Sequence, residues 1–110
     1  MNNYSNFLNH FSGFFLQKKL KHLILHVTNH CNFRCSHCFV DFVNPKKDLK
    51  LEDYIEISKK IDNLFWLDIA GGEPFLRKDL YKIINLFKKQ IVSIPTNGWL
   101  EKQIMEQIEL

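Results

Sequence analysis

The sequence lacks the features that mark membrane, secreted and nucleic-acid-binding proteins. No apolar run approaches the roughly 20 residues that a helix needs to cross a bilayer. The N-terminus has no charged start followed by an apolar stretch and a small-residue cleavage site, so no secretory signal is predicted. The formal net charge is only +3, without a basic face interleaved with aromatic residues, which argues against nucleic-acid binding.

Cysteine is also scarce, with three residues that all fall between positions 31 and 38. A secreted disulfide framework would spread its cysteines along the chain and pair them. We therefore expect reduced thiols and a cytoplasmic location. No nucleophile–base pair of the kind used in acyl transfer is recognisable.

The first 22 residues are predicted to form a helical extension, with apolar residues near helical spacing at Phe7, Leu8, Phe11, Phe14, Phe15 and Leu20. Such a helix either lies on a membrane or partner, or packs its Phe stripe on the domain. Its polar side is rich in Asn and Ser at the start and poor in Lys and Arg. This composition favours packing on the domain over membrane contact.

Strands and helices alternate after this extension. Apolar runs bounded by turn signals predict strands, and apolar residues at helical spacing predict helices, with Asp79 as an N-cap. The predicted strands are 23–27, 66–70 and 91–94, and the predicted helices are 51–64, 79–89 and 101–110. This order predicts an α/β fold with βαβ units and a parallel sheet, without an internal repeat or an interdomain linker.

The strongest chemical signal is the loop that carries Cys31, Cys35 and Cys38. Soft thiolates suit iron–sulfur clusters, and three of them can hold three corners of a cubane while the fourth stays open to a small molecule. A zinc site with His30 or His37 as a fourth ligand is the alternative. Structural zinc sites usually combine two Cys-x₂-Cys pairs, and this chain has one. Three unrelated thiols in a single loop is the weakest interpretation.

Two further loops follow strands of the same predicted sheet. Gly71-Gly72-Glu73-Pro74 follows the second strand, and Thr96-Asn97-Gly98 follows the third. Each alone is typical of an ordinary turn, although paired glycines also let a ligand approach the backbone. Since the loops after parallel strands share one face, where ligands bind, we expect all three loops to converge.

These motifs together resemble the radical SAM superfamily. The resemblance covers about residues 23–100 and rests on Cys-x₃-Cys-x₂-Cys after the first strand and Gly-Gly-Glu-Pro after the second. Within this superfamily, the resemblance is to the branch that contains molybdenum-cofactor biosynthesis proteins and SPASM-type peptide maturases. It rests on residues 71–80 and on Thr96-Asn97-Gly98.

The resemblance implies a ligand set for two cofactors. Cys31, Cys35 and Cys38 would bind three irons of a [4Fe–4S] cluster. The methionyl amino and carboxylate groups of S-adenosylmethionine would chelate the fourth iron.

The other contacts to S-adenosylmethionine are implied in the same way. The backbone around Gly71, Gly72 and Glu73 would meet the methionyl amino group. His37 occupies the position of an aromatic residue near the adenine, where Tyr or Phe is commoner, and Thr96 and Asn97 would supply polar contacts.

The implied reaction is reductive cleavage of S-adenosylmethionine. An electron from a flavodoxin- or ferredoxin-type donor would give methionine and a 5′-deoxyadenosyl radical, which abstracts hydrogen from a small-molecule or peptide substrate. The competing hypothesis is a non-catalytic remnant that holds an iron–sulfur cluster or zinc. Family members form a partial barrel of six βα units, and this chain supplies about three. Residues 23–110 are therefore expected to be the N-terminal half of a core domain, with the C-terminal half as a missing partner.

Overall fold

The computed structural model of the chain describes residues 20–61 and 63–109. Three strands form one parallel sheet in the order β1-β2-β3: β1 is His22–His26, β2 is Trp66–Ala70 and β3 is Ile91–Ser93. His22 pairs with Trp66, and Trp66 pairs with Ile91, so the three strands start at the same level. The predicted α/β class and parallel sheet are confirmed.

The three helices are α1 (Leu51–Lys60), α2 (Leu80–Leu86) and α3 (Glu101–Glu109), and a 3₁₀ turn covers Pro74–Leu76. Acidic residues occupy the first turn of α1 and lysines its last turn, which complements the helix dipole. Within residues 20–61 and 63–109, no helix combines the length and the apolar character that a membrane span requires.

Two predicted helices end earlier than the sequence suggested. Helix α1 stops at Lys60 because Ile61 leaves helical geometry, with φ −115° and ψ 32°. The pattern misled because Ile61 and Leu64 both pack on the core from the following turn. Helix α2 stops at Leu86 rather than at residue 89. Asp79 occupies the N-cap position of α2 as predicted, but its carboxylate binds Arg77 instead of a backbone amide of the helix.

The N-terminal prediction lies almost wholly outside the described residues. Of the proposed extension 1–22, the structure describes only residues 20–22, and His22 already belongs to β1. The first strand therefore begins one residue earlier than predicted.

The helices cover one face of the sheet. Leu67 and Ile69 point from β2 into a core with residues of α1 and α2, and this core includes Tyr54, Leu80, Ile83 and Phe87. Full burial of such an apolar side chain stabilises the fold by about 1.5–3 kcal/mol. The opposite face alternates with it and is open within the described part of the chain, where Ile24 is 60% exposed. The connections that follow β1, β2 and β3 all leave the same edge of the sheet.

Candidate metal and cofactor site

Gly71 and Gly72 seat the cysteine loop, defined as residues 28–49, on the end of β2. The amide of Gly72 donates to the carbonyl of Thr28 at 2.9 Å, and the amide of Glu73 donates to that of His30 at 2.8 Å. A Cβ on Gly71 would lie 2.7 Å from the Thr28 oxygen, and one on Gly72 would lie 2.3 Å from the His30 oxygen. No side chain fits in either place. The glycine pair is therefore required for loop packing, a reason that sequence reasoning did not supply.

The three cysteines are free thiols in this loop. Cys31 is half-buried and lies against the Gly72 backbone, whereas Cys35 and Cys38 are exposed. The amide of Phe33 donates to Sγ of Cys31 at 3.3 Å. The amide of Cys38 donates to the carbonyl of Cys35 at 3.1 Å and closes a turn between the second and third cysteines.

The thiols do not converge on one point. Within residues 20–61 and 63–109, no three side chains of His, Cys, Asp or Glu are grouped closely enough to hold a metal ion. The chemistry of the donor set nevertheless fits an iron–sulfur cluster, because three uncrosslinked thiols share one loop and two of them are accessible. Cys31 already lies against the Gly72 backbone, so a cluster would be completed by movement of the exposed Cys35 and Cys38 toward it.

Asp48 fastens the start of the cysteine loop to its end. Its carboxylate accepts the Thr28 hydroxyl at 2.7 Å and the Asn29 amide at 2.9 Å. Partial burial acts to raise the pKa of Asp48, but the bonds from Thr28 and Asn29 outweigh it and hold this pKa below its ordinary value. The carboxylate therefore stays ionised and bonded at neutral pH.

Arg77 clamps the same loop from below. One guanidinium nitrogen donates to the carbonyls of Val27 and Leu49, each at 2.8 Å, which are the residues just before the loop and at its end. The other nitrogens bind the Asp79 carboxylate at 2.7 and 3.2 Å. The guanidinium also lies 5.0 Å from the centre of the Tyr54 ring. The hydrogen bonds that Asp79 accepts from Arg77 hold the pKa of the Asp79 carboxyl below its ordinary value.

The Glu73 side chain is buried and binds the third loop, Thr96-Asn97-Gly98, which follows β3. Its side chain is 1% exposed. The carboxylate accepts the Thr96 hydroxyl at 2.9 Å, the Asn97 amide at 2.8 Å and the Phe75 amide at 3.1 Å. The Glu73 backbone is bonded as well, since its amide donates to the His30 carbonyl at 2.8 Å and its carbonyl accepts the Leu76 amide at 3.1 Å.

The third loop also contacts the cysteine loop directly. The side-chain amide of Asn97 donates to the side-chain oxygen of Asn32 at 2.9 Å. The rings of Phe33 and Trp99 lie 5.9 Å apart, centre to centre, at 59°. The predicted convergence of the three loops is thus seen in the contacts among Gly72, Glu73, Asn97 and the cysteine loop.

His37 is exposed and, in the described part of the chain, has neither a hydrogen bond nor a ring contact. Its predicted position beside an adenine therefore has no support from neighbouring residues. Arg34 lies near it in sequence and donates to the carbonyls of Cys31 and Phe33 at 2.8 and 2.7 Å. Its guanidinium stacks 4.0 Å above the centre of the Phe42 ring. Arg34 thus stiffens the segment between the first two cysteines.

The open face of the sheet carries a polar cluster that the sequence did not reveal. Asp68 accepts hydrogen bonds from the Ser93 hydroxyl, from the Trp66 indole at 2.8 Å and, through its other oxygen, from His22 at 2.8 Å. These bonds, that from Ser93 foremost, lower the pKa of Asp68 to about 2. The face therefore presents a fixed carboxylate at neutral pH.

Comparison with protein families matches residues 25–109 to the model described as the Radical SAM superfamily. A probable GTP 3′,8-cyclase of Archaeoglobus fulgidus is 40% identical over 86 residues, which cover 74% of this chain and 29% of that protein. The GTP 3′,8-cyclase of Campylobacter jejuni subsp. doylei is 34% identical over 102 residues, which cover 84% of this chain and 32% of that protein.

Two other similarities lie outside the GTP cyclases. A putative glycyl-radical enzyme activating enzyme of Methanocaldococcus jannaschii is 33% identical over 91 residues, covering 76% of this chain and 34% of that protein. The solved structure of SuiB from Streptococcus suis, bound to its precursor peptide SuiA, superposes with a TM-score of 0.68 at 22% identity. That match covers 97% of this chain and 27% of SuiB, and it supports the fold alone. The chain spans about a third of the length of the curated relatives it matches.

Proposed function

The chain belongs to the radical SAM superfamily, and we propose that Cys31, Cys35 and Cys38 hold a [4Fe–4S] cluster at which S-adenosylmethionine is cleaved. One observation carries the proposal above the others. The loop with all three free thiols is held against the carboxyl end of β2 at Gly71 and Gly72, where a side chain would collide with it.

When bound, the cluster would supply one electron that breaks a carbon–sulfur bond of S-adenosylmethionine, giving methionine and a 5′-deoxyadenosyl radical for hydrogen abstraction. The chain's own residues hold and orient the two cofactors. Thiolates of the three cysteines would bind iron, and the backbone at Gly71, Gly72 and Glu73 would meet the methionyl amino group. The Gly71 and Gly72 carbonyls suit this contact, because the amides of Gly72 and Glu73 already donate to the cysteine loop.

Thr96, Asn97 and His37 have different parts in this proposal. The polar groups of Thr96 and Asn97 already bond to Glu73 and Asn32, so they support the site from behind. A bond donated by the Thr96 hydroxyl to S-adenosylmethionine requires its bond to Glu73 to open, whereas the side-chain amide of Asn97 has a second N–H to donate. His37 is free to turn toward the adenine when the cysteine loop closes around the cluster.

The substrate class that we propose is a peptide. Within β1, β2 and β3, the open face of the sheet carries no Lys or Arg side chain. Its one acidic group is the Asp68 carboxylate, and its other side chains are uncharged residues or histidines. A triphosphate needs cations such as Arg or Lys, which these strands do not offer. The SuiB structure contains a bound precursor peptide, and its fold is shared.

We extend the proposal to the fold of the domain, the cellular compartment and the electron donor. The residues from β1 onward would form the N-terminal half of a partial (βα)₆ barrel. The open face, with Ile24 and Ile91 exposed, then lines the barrel interior. The free thiols suit a reducing compartment, the cytoplasm, and an electron donor of the flavodoxin or ferredoxin type. Family membership favours this enzymatic interpretation over a non-catalytic iron–sulfur or zinc protein.

Metal content after anaerobic purification tests the proposal against the zinc alternative. The chain, reconstituted with iron, sulfide and equimolar zinc, is expected to hold about four irons and four sulfides per chain. A Cys35→Ser variant is expected to lose most of this iron, whereas Ser36→Ala, which changes the neighbouring non-ligand, keeps it. Stoichiometric zinc with little iron in the unmodified chain would contradict the proposal.

A further inference from the structure

Phe33 contacts both the first cysteine and the loop after β3. Its backbone amide donates to Sγ of Cys31 at 3.3 Å. Its ring packs against Trp99 with centres 5.9 Å apart. One residue therefore connects the sulfur of Cys31, through the backbone, to an aromatic side chain from another strand's loop.

Phe33 is held from within its own loop by the bond from Arg34 to its carbonyl at 2.7 Å, and from outside the loop by Trp99. The loop is exposed around Phe33, and the neighbouring residue Asn32 is held to Asn97 by one hydrogen bond of 2.9 Å. Trp99 is the aromatic partner of Phe33, yet it is 72% exposed and contributes nothing to the core. An exposed tryptophan whose packing partner is the cysteine loop is well placed to hold that loop.

An amide that donates to a cluster sulfur changes the energy of reduction. Reduction of a [4Fe–4S]²⁺ cluster adds one electron and one negative charge. A hydrogen bond to a thiolate ligand stabilises negative charge and therefore favours the reduced form. Loss of such a bond lowers the reduction potential.

We propose that Trp99 is a positioning residue that holds the Phe33 amide on Cys31 Sγ and thereby raises the reduction potential of the cluster. The proposal rests on the proposed function, in which Cys31 binds that cluster. It assigns Trp99 a role that its exposure alone does not explain.

The test is the reduction potential of the reconstituted full chain. The EPR signal of the reduced cluster is recorded at a series of potentials set with chemical mediators under anaerobic conditions. Trp99→Ala is expected to lower the potential, because the amide is released from the sulfur. Trp99→Phe, which keeps an aromatic ring against Phe33, is expected to restore most of the potential.

The sign of the shift separates this role from simple shielding. If Trp99 only excluded water, its removal would let solvent stabilise the more negative reduced cluster and would raise the potential. Phe39→Ala is the matched control, since Phe39 is 89% exposed and follows Cys38 directly, and its ring contact in the described structure is with His26. This variant should not lower the potential.

A second variant keeps the test decisive if Trp99→Ala fails to load a cluster. Phe33→Leu removes the ring but keeps the amide, and it is expected to lower the potential in the same direction. Adding Trp99→Phe to it should change nothing further, because the two rings act as a pair. An unchanged or raised potential in the loaded Ala or Leu variants overturns the inference. A failure of the unmodified chain to assemble any cluster overturns the proposed function instead.

Discussion

At the residue scale, the site depends on polar side chains that are already occupied by protein partners. Glu73, Asp48 and Arg77 each join two segments that are distant in sequence. The sequence marked the Glu73 backbone as a ligand contact and assigned no role to its carboxylate, which joins two loops. It predicted nothing for Asp48 or Arg77, because their partners lie 20 and 50 residues away and depend on tertiary structure.

Replacing Glu73 by Gln should destabilise the apoprotein by about 1–3 kcal/mol. The amide NH₂ would face one of the donors from Thr96, Asn97 or Phe75, all of which now find a carboxylate oxygen. Urea unfolding of the cluster-free chain measures the change. Glu56→Gln is the control, because Glu56 is exposed and its bond to Lys59 contributes little. A stability of Glu73→Gln equal to that of the control would refute the bracing role.

The Asp68 cluster predicts a dependence of stability on acid. The folded pKa of about 2 is below the ordinary 3.8, so the unfolded chain binds the proton first. The contribution of Asp68 is complete above about pH 4 and disappears as pH falls toward 2. In Ser93→Ala the pKa of Asp68 should rise toward its ordinary value.

The unfolding midpoint of the cluster-free chain in urea, compared at pH 4.5 and pH 2.5, checks this sign. The unmodified chain should lose more stability between the two pH values than Ser93→Ala does. Other carboxylates with lowered pKa values, such as Asp48 and Asp79, are common to both chains and cancel in the comparison. Equal losses would show that the Ser93 bond does not tune Asp68.

At the scale of elements, the strand ends organise the site. Hydrogen bonding between β1 and β2 continues past the strands, from the amide of Val27 to Ala70 at 2.8 Å and from that of Gly72 to Thr28 at 2.9 Å. The start of the cysteine loop is therefore held in a fixed register with Gly71 and Gly72, the residues that follow β2. The rest of the cysteine loop is held mainly where its first and last residues meet, by the bonds of Arg77 and Asp48.

Gly72→Ala should displace this register and reduce cluster loading several-fold. The added methyl carbon would lie 2.3 Å from the His30 carbonyl oxygen and 2.9 Å from Cys31 Cβ. Iron content after reconstitution and amide exchange at residues 28–33 report the two effects. Gly98→Ala is the matched control: its φ of 73° carries strain of about 1–2 kcal/mol, but no atom lies within 4 Å of the new Cβ. Equal loading of the two variants would contradict this explanation of the glycine pair.

The elements themselves were largely readable from the sequence. Mainly apolar runs ending at Gly71 and Pro95 predicted β2 and β3 to within one residue, because glycine and proline mark the ends of such short strands. Helix ends were less readable, since Ile61 and Leu64 continue a helical pattern while the backbone has already turned. The contact of Trp99 with Phe33 had a visible signal, an aromatic residue directly after an Asn-Gly turn, but its partner required the fold.

At the scale of the whole molecule, one face of the sheet is covered by helices and the other is open in the described structure. The covered face holds the core, and the open face holds Asp68, Trp66 and exposed Ile24. The proposed partial barrel would place this open face in its interior, and the chain spans about a third of the length of its curated relatives. The resemblance seen in the sequence predicted family membership correctly. It could not predict that the thiols lie apart in the loop.

The central claim is that the three cysteines hold a cluster with one corner open to S-adenosylmethionine. The most direct measurement is the EPR spectrum of the reduced, reconstituted chain with and without S-adenosylmethionine, with Cys35→Ala as the control. A [4Fe–4S]⁺ signal is expected that shifts when S-adenosylmethionine is added and is lost in the variant. A cluster signal that is indifferent to S-adenosylmethionine, or one that survives in Cys35→Ala, would contradict it.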